Sequence, residues 1–403
     1  MDSKDLILLE SLYGAHNYHP LDVVVEKAKG VWMWDVEGKK YLDFLSAYSA
    51  VNQGHCHPRI VRALQTQAKR LTLTSRAFRN NQWPMLAKEL CDLTGYNMVL
   101  AMNSGAEAVE TAVKCARKWA YQKKNVPEDR AEIIACCNNF HGRTVTIISF
   151  STETLYRNDF GPFTPGFRII PFGDAAALEE AITPNTAAFI FEPIQAEAGI
   201  LFPPDGFLKQ ARDICAERNV LFIADEIQTG LGRAGRMLAC DYEDVRPDMV
   251  ILGKSLAGGC YPVSAVLSSQ EILGVFKPGE HGSTFGGNPM ACAVAREAMC
   301  VMREEKLVEN SAAMGAYFLE KLKTIRSRHI KEVRGRGLLI GVELKPEAGG
   351  ARRFCEALAA EGLLCKETHD HVIRFAPPLV ITQRELNWAF KRIKTVFKKL
   401  ENS

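Results

Sequence analysis

Short apolar, β-branched runs alternate along this chain with longer stretches whose apolar residues recur at helical spacing. Residues 99–102 (Val-Leu-Ala-Met) read as a strand, and 106–120 as a helix. Further buried-type strands are expected at 133–137, 188–191, 220–224 and 249–252, with a helix over 205–218 between two of them. This alternation implies an α/β fold, a mostly parallel central sheet covered by helices on both faces. The ends differ. Residues 31–44 predict a hairpin turning at Glu37-Gly38. From Asn288 the pattern predicts a long helix, a strand at 337–344, a helix, a strand at 372–375 and a final basic amphipathic helix. The expected organisation is a segment 1–50 belonging to a smaller α+β domain, a large domain 51–290, and the rest of the small domain at 291–403.

Composition narrows the class. The 403 residues are 47% hydrophobic and 24% charged, ordinary for a globular protein with a sizeable core. A formal net charge of +3 gives no reason to expect a nucleic-acid or membrane partner. No apolar run approaches the roughly 18 residues that span a bilayer. The start Met1-Asp2-Ser3-Lys4-Asp5 resembles neither a secretory signal nor an Arg-rich transit peptide. Twelve cysteines, none spaced Cys-x-x-Cys, fit reduced thiols in a cytoplasmic protein.

Three features carry candidate chemistry. Lys254 follows the 249–252 strand and precedes Ala257-Gly258-Gly259. A lysine in a crevice at a sheet's carboxyl edge is partly desolvated, which lowers its pKa and suits an imine-forming nucleophile. Alone, it could simply extend its amine to water. Asp225 ends the 220–224 strand, where a carboxylate can keep a pyridinium nitrogen protonated and let pyridoxal phosphate act as an electron sink. Its plain alternative is a turn or helix cap. Asn103-Ser104-Gly105-Ala106-Glu107 joins a strand to a helix, where free N–H groups favour a phosphate. Ser104 could add its hydroxyl, although ordinary capping needs the same residues.

These residues also stand in a recognisable order. Asn103-Ser104-Gly105-Ala106-Glu107-Ala108, Phe140-His141-Gly142-Arg143, Glu192-Pro193-Ile194-Gln195, Ala224-Asp225-Glu226-Ile227-Gln228-Thr229-Gly230 and Leu252-Gly253-Lys254 resemble the motifs of class III (subgroup II) aminotransferases. The similarity spans nearly the whole chain. It implies the type I fold of pyridoxal-phosphate-dependent transferases. Tyr13 to Pro20, Ser46 to His55, Thr72 to Phe78 and Ile373 to Pro378 are most similar to members using ornithine and 2-oxoglutarate.

The resemblance implies roles. Lys254 holds the cofactor, Asp225 faces its ring nitrogen, and Ser104, Gly105 and Ala106 cradle its phosphate. Phe140 stacks on the ring and Gln228 bonds its phenolic oxygen. In His281-Gly282-Ser283-Thr284-Phe285-Gly286-Gly287-Asn288, Ser283 and Thr284 belong to the cofactor site, and Thr284 reaches the phosphate of the neighbouring subunit's cofactor. That requires a homodimer. For substrates, Arg143 and Arg374 suit the two carboxylates of 2-oxoglutarate, because a guanidinium grips a carboxylate bidentately. Glu197 would pair with Arg374 and mask it while ornithine reacts. Tyr18 would bind ornithine's α-amino and α-carboxylate end, with Tyr48 lining the pocket. Glu197–Arg374 as a merely structural pair and Tyr18 as a packing residue remain alternatives. Where the family pattern has glycine before this glutamate, Ala196 stands, and its methyl could crowd the switch.

Other readings remain. Gly230-Leu231-Gly232-Arg233-Ala234-Gly235 is a literal G-x-G-x-x-G, but five residues separate it from the strand and no helical face follows, so a nicotinamide-linked oxidoreductase ranks low. His55-Cys56-His57 hints at a metal, yet no second cluster completes a ligand set, so no metal is expected. Residues 368–371 read as a turn, and 391–399 as a solvated basic face. A non-enzymatic binding module has no use for the Asp225–Lys254 arrangement. Acetylornithine and 4-aminobutyrate aminotransferases share the cofactor motifs, and only the substrate pocket separates them.

Overall fold

A computed structural model describes residues 1–401. Its centre is a seven-stranded sheet in the order Met98–Met102, Ser264–Ser268, Met249–Leu252, Leu221–Asp225, Thr186–Phe191, Glu132–Cys136 and Phe167–Ile170. The last five run parallel. Ser264–Ser268 is inserted antiparallel between Met249–Leu252 and Met98–Met102. The strands Leu221–Asp225 and Thr186–Phe191 are buried along their whole length, as helices on both faces demand. Helix Gly105–Lys123 covers one face. It starts with a capping box, in which Ser104 Oγ accepts from Glu107 N at 3.2 Å and Glu107 Oε2 accepts from Ser104 N at 2.7 Å. Phe207–Glu217 packs on the strand Leu221–Asp225 through Phe207, Leu208, Ala211 and Cys215.

Two smaller sheets lie beside it. Val25–Lys29, Trp32–Asp35 and Lys40–Asp43 form an antiparallel meander, and Leu363–Leu364 adds to its edge in parallel. The early chain thus shares a sheet with the late chain. The third sheet runs Ile330–Arg336, Leu339–Leu344, Val372–Phe375, Lys366–Thr368, all antiparallel.

The expected elements fall within a few residues of their places, with instructive differences. The long helix expected from Asn288 is two helices, Pro289–Glu304 and Leu307–Lys323. Lys306 between them takes a left-handed φ of 52°, which reverses the path and buries Leu307. Six strands were not expected, namely Val25–Lys29, Phe167–Ile170, Ser264–Ser268, Ile330–Arg336, Leu363–Leu364 and Lys366–Thr368, the last of which puts Thr368 in a strand and leaves the expected turn to 369–371. Ile330–Arg336 carries Lys331, Glu332, Arg334 and Arg336, Ser264–Ser268 is bounded by serines, and Phe167–Ile170 is short.

The G-x-G-x-x-G stretch forms turns, with no helix opened by its glycines. A Cβ on Gly337 would lie 2.3 Å from Gly235 N, and one on Gly315 would lie 2.0 Å from Gly337 O. Gly235 is therefore a packing glycine. It lets the loop, the turn at Gly337 and the helix Leu307–Lys323 touch backbone to backbone. His55 Nε2 meets Asp43 Oδ2 at 2.6 Å and His57 Nε2 meets Glu305 Oε1 at 3.0 Å, so the two imidazoles serve different partners. Among the described residues no group of three or more potential ligands could hold a metal, and no helix is long and apolar enough to cross a membrane.

Gly315→Ala should lower stability by about 1–3 kcal/mol, the usual cost of overpacking, although alanine favours helices. A denaturation midpoint equal to or above that of the parent would show that the glycine contact is not needed.

Candidate functional site

The sheet's carboxyl edge gathers the candidate residues. Asp225 is the last residue of its strand, Glu192 directly follows the strand Thr186–Phe191, and Lys254 follows Met249–Leu252 after one glycine. Lys254 takes a left-handed φ of 45°, turning the chain sharply out of the sheet. Burial pushes its ammonium down to about 8, against the attraction of Glu197. No hydrogen bond or ion pair among the described residues holds its Nζ. A half-buried, partly desolvated amine without such a partner is poised to be neutral and nucleophilic near physiological pH.

Asp225 is fixed from two sides. Its Oδ1 accepts from Ile227 N at 3.1 Å, and its Oδ2 lies 2.7 Å from His141 Nδ1. Burial opposes a charge on His141, but the hydrogen bond and charge of Asp225 prevail and raise its pKa. His141 Nε2 is buried with no partner among the described residues. Glu192 accepts from Phe140 N at 3.0 Å, and burial pushes its carboxyl up to about 8. Neither His141 nor Glu192 received a role from sequence. The signal for Glu192 was available, because it ends a buried strand just as Asp225 does.

The phosphate-cradle residues sit at the start of helix Gly105–Lys123. Glu107 N is satisfied by Ser104 Oγ, while helix geometry leaves the N–H groups of Gly105 and Ala106 without intrahelical acceptors. A Cβ on Gly105 would come within 3.1 Å of Ile227 Cδ1. Ser264 Oγ donates to Ser104 O at 2.7 Å and fixes this turn from the neighbouring strand. Ser283 Oγ accepts from Asn103 Nδ2 at 2.8 Å, and Thr284 beside it is exposed.

A second cluster surrounds Arg374, whose guanidinium is almost wholly inaccessible. Its Nη1 donates to Glu197 Oε1 at 2.7 Å and to Gln228 Oε1 at 3.3 Å. Gln228 Nε2 donates to the same glutamate oxygen at 3.0 Å. Burial opposes ionisation of Glu197, but the cations of Arg374 and Lys254 pull it down to about 2. Arg374 Nε is buried with no partner, so half of its donor fork is unused. Because Gln228 spends one N–H on Glu197, a cofactor oxygen would have to take the other.

Tyr48 lies beneath Arg374, 4.9 Å from guanidinium carbon to ring centroid. Four successive residues, Ser46 to Ser49, have positive φ, a single left-handed turn that aims the tyrosine. Such backbone costs about 1–2 kcal/mol per residue. Asp43 Oδ1, accepting from Leu45 N and Ser46 N, and Ser46 Oγ, donating to Ala376 O, hold it. Tyr18 is 72% exposed. Its neighbours His19 and Pro20 offer their carbonyls to Arg352 at 3.0 and 2.7 Å, an anchor that sequence did not reveal. Arg143 is exposed, with its guanidinium 4.4 Å from the Tyr156 ring centroid. Ala196 is fully buried among Ile194, Ile200, Leu339 and Ala376 and is absent from the residues with positive φ. Its methyl is accommodated without strain.

The structure thus holds an amine at a sheet edge, a fixed carboxylate, a helix start with free N–H groups and a buried arginine paired with a glutamate. The Aminotransferase class-III family model matches residues 13–397. The ornithine aminotransferase of Geobacillus sp. (strain WCH70) is 62% identical over 395 residues, 98% of each chain. Among solved structures, an ornithine aminotransferase from Toxoplasma gondii with partial occupancy of PLP at its active site superposes with a TM-score of 0.98 at 48% identity, covering 99% of this chain and 95% of that one. An acetylornithine aminotransferase from Elizabethkingia anophelis gives a TM-score of 0.91 at 50% identity, over 99% of this chain and 100% of that one.

Only the neutral amine of Lys254 can attack an aldehyde. The rate at which cofactor-free protein takes up pyridoxal phosphate, followed by absorbance, should therefore rise through about pH 8 and level off. Glu197 holds that pKa up. Glu197→Gln should shift the profile to lower pH, and an unmoved profile would mean that the two groups do not share a field.

Proposed function

The chain belongs to the class-III aminotransferases, and from that premise we propose that it moves the δ-amino group of ornithine to 2-oxoglutarate. The products are glutamate and glutamate 5-semialdehyde, the latter cyclising spontaneously. The observation that carries this reading is the Glu197–Arg374 pair, which hides the arginine that would otherwise draw in any α-carboxylate. The ornithine-specific names of the relatives support the same choice.

The cofactor is pyridoxal phosphate. When bound, it supplies an aldehyde for the amine and a ring that accepts the electron pair left by a departing proton. Lys254 Nζ would hold its aldehyde carbon, Asp225 its ring nitrogen, Gly105 and Ala106 N–H its phosphate, and Phe140 one face of its ring. The residues suit these tasks. Lys254 is neutral often enough to attack, and once released its Nζ carries the proton from the donor carbon, first as base and then as acid. Asp225, clasped by His141, would hold its carboxyl in place facing the ring nitrogen.

Ornithine and 2-oxoglutarate enter in turn. While ornithine is bound, Glu197 stays on Arg374, and the α-amino and α-carboxylate end rests on Tyr18 beside Tyr48. For 2-oxoglutarate the glutamate swings off, Arg374 takes the carboxylate beside the keto group and Arg143 takes the distal one. The unused Nε of Arg374 suits such a bidentate grip.

Assembly as a homodimer is part of the proposal. Helix Ser3–Tyr13 buries none of its residues within the chain, and Leu8, Leu12, Tyr13, Phe78 and Phe285 are exposed. Thr284 would then serve the partner's phosphate. Twelve free cysteines, seven of them buried, fit a cytoplasmic protein.

A panel of ornithine, N-acetylornithine and 4-aminobutyrate with 2-oxoglutarate tests the reading, and ornithine should give the highest kcat/KM. Tyr18→Ile should lower ornithine kcat/KM roughly tenfold to a hundredfold, as loss of a hydrogen bond to a charged group allows, and should favour 4-aminobutyrate-like donors. An unchanged ranking in that variant would remove the ground for naming ornithine.

A further inference from the structure

The mask on Arg374 sits on a loop that is itself held down. Residues 196–200 bulge from an isolated bridge in which Gln195 and Leu201 exchange two backbone hydrogen bonds of 3.0 Å. From this loop Glu197 reaches Arg374. Its main chain is gripped separately. Arg334 Nε donates to Ile200 O at 2.9 Å, and Arg334 Nη2 donates to Gly199 O at 2.6 Å. Thr368 Oγ1 donates to the carbonyl of Glu197 itself.

The register of the third sheet explains the arrangement. Arg334 lies opposite Gly341, Gly341 opposite Arg374, and Arg374 opposite Lys366. Arg334 and Arg374 therefore share one row and one face, two strand spacings or about 9–10 Å apart. Gly341 between them has no side chain, and a Cβ there would lie 3.5 Å from Gly199 O. The loop rests in that gap, its backbone on one arginine and its carboxylate on the other. Thr368 lies on the strand hydrogen-bonded to that of Arg374. Carbonyl and carboxylate of Glu197 are thus attached to the two strands of one hairpin. Arg334 is fixed in turn by Glu332 at 2.7 Å and by Glu343.

We propose that Arg334 and Thr368 are positioning residues that pin the main chain of the Glu197 loop, so that the mask opens by rotation of the carboxylate alone. They thereby set the preference for a terminal amine over an α-amino donor. The inference rests on the reading that Glu197 masks Arg374. With the backbone pinned, the carboxylate returns to one place after each turnover. With the backbone loosened, the masked state loses its pre-organisation and Arg374 is open more of the time.

The test compares holoenzyme variants by single-turnover half-reactions with ornithine and with glutamate, followed by cofactor absorbance. Binding of glutarate, a dicarboxylate without a keto group, is measured by calorimetry. Thr368→Val should raise the glutamate-to-ornithine rate ratio about twofold to tenfold, the range one neutral hydrogen bond allows. It should tighten glutarate by a similar factor, and Thr368→Ser should restore both. Arg334→Lys keeps a charge facing Glu343 but loses the two-pronged grip, and it should shift both readouts the same way. Amides of residues 196–201 should exchange hydrogen faster in Thr368→Val and Arg334→Lys. Glu197→Ala is the reference. If it shifts the ratio while both clamp variants leave it unchanged, whatever their effect on melting temperature, the clamp is refuted. If Glu197→Ala itself leaves the ratio unchanged, the masking reading fails and the clamp with it.

Discussion

A half-buried lysine ammonium without a hydrogen-bond partner among the described residues is the constraint on which this site depends. Burying an unpaired cation costs several kcal/mol unless the group gives up its proton. The fold places Lys254 one glycine beyond a wholly buried strand, in a left-handed turn that keeps it near the sheet edge. The nearest compensation is the Glu197 carboxylate, which acts through space and does not bond it. An ion pair would have settled the charge and quenched the nucleophile. A distant carboxylate leaves the amine near the middle of its titration, where it can act as both base and acid.

The same economy governs the acids. Glu192 and Asp225 end neighbouring parallel strands, so two carboxylates approach one another with His141 against one of them. Burial pushes the Glu192 carboxyl up to about 8, with His141 opposing and Asp225 adding to the rise, while the imidazole bonds Asp225. Sheet topology alone creates this pairing, because parallel neighbours end at the same edge.

Much of this was legible in sequence, and what was not shares a cause. Alternating β and α patterning gave the parallel sheet, since fully buried strands such as Thr186–Phe191 carry no polar residue but Thr186. Strand-end residues Asp225 and Lys254 could be found because each interrupts an apolar run. Arg334, Thr368 and Arg352 could not. Their importance lies in which carbonyl each meets, and those partners are between 134 and 333 residues away in the chain. Ile330–Arg336 was missed for the same reason, because its charged residues look like a solvated loop until Glu343 and the Glu197 loop are placed beside them. The doubt raised by Ala196 also needed the fold, which shows the methyl inside a small apolar cluster.

On the proposed reading one arginine serves two substrates with opposite requirements, and the charges around it indicate how it can. Burial opposes ionisation of Glu197, yet the cations of Arg374 and Lys254 hold it down to about 2, so the charged, paired form is favoured. An amino acid with a single carboxylate must open the pair with that carboxylate alone and gains little beyond what Glu197 already supplied. A dicarboxylate brings a second anion to the exposed Arg143, which lies over the Phe140 and Tyr156 rings and in no ion pair among the described residues, and so would recover the cost of opening. Selectivity for 2-oxoglutarate then follows from the count of its carboxylates. On the same reading, exclusion of α-amino donors follows from the closed state proposed to protect the ornithine half-reaction.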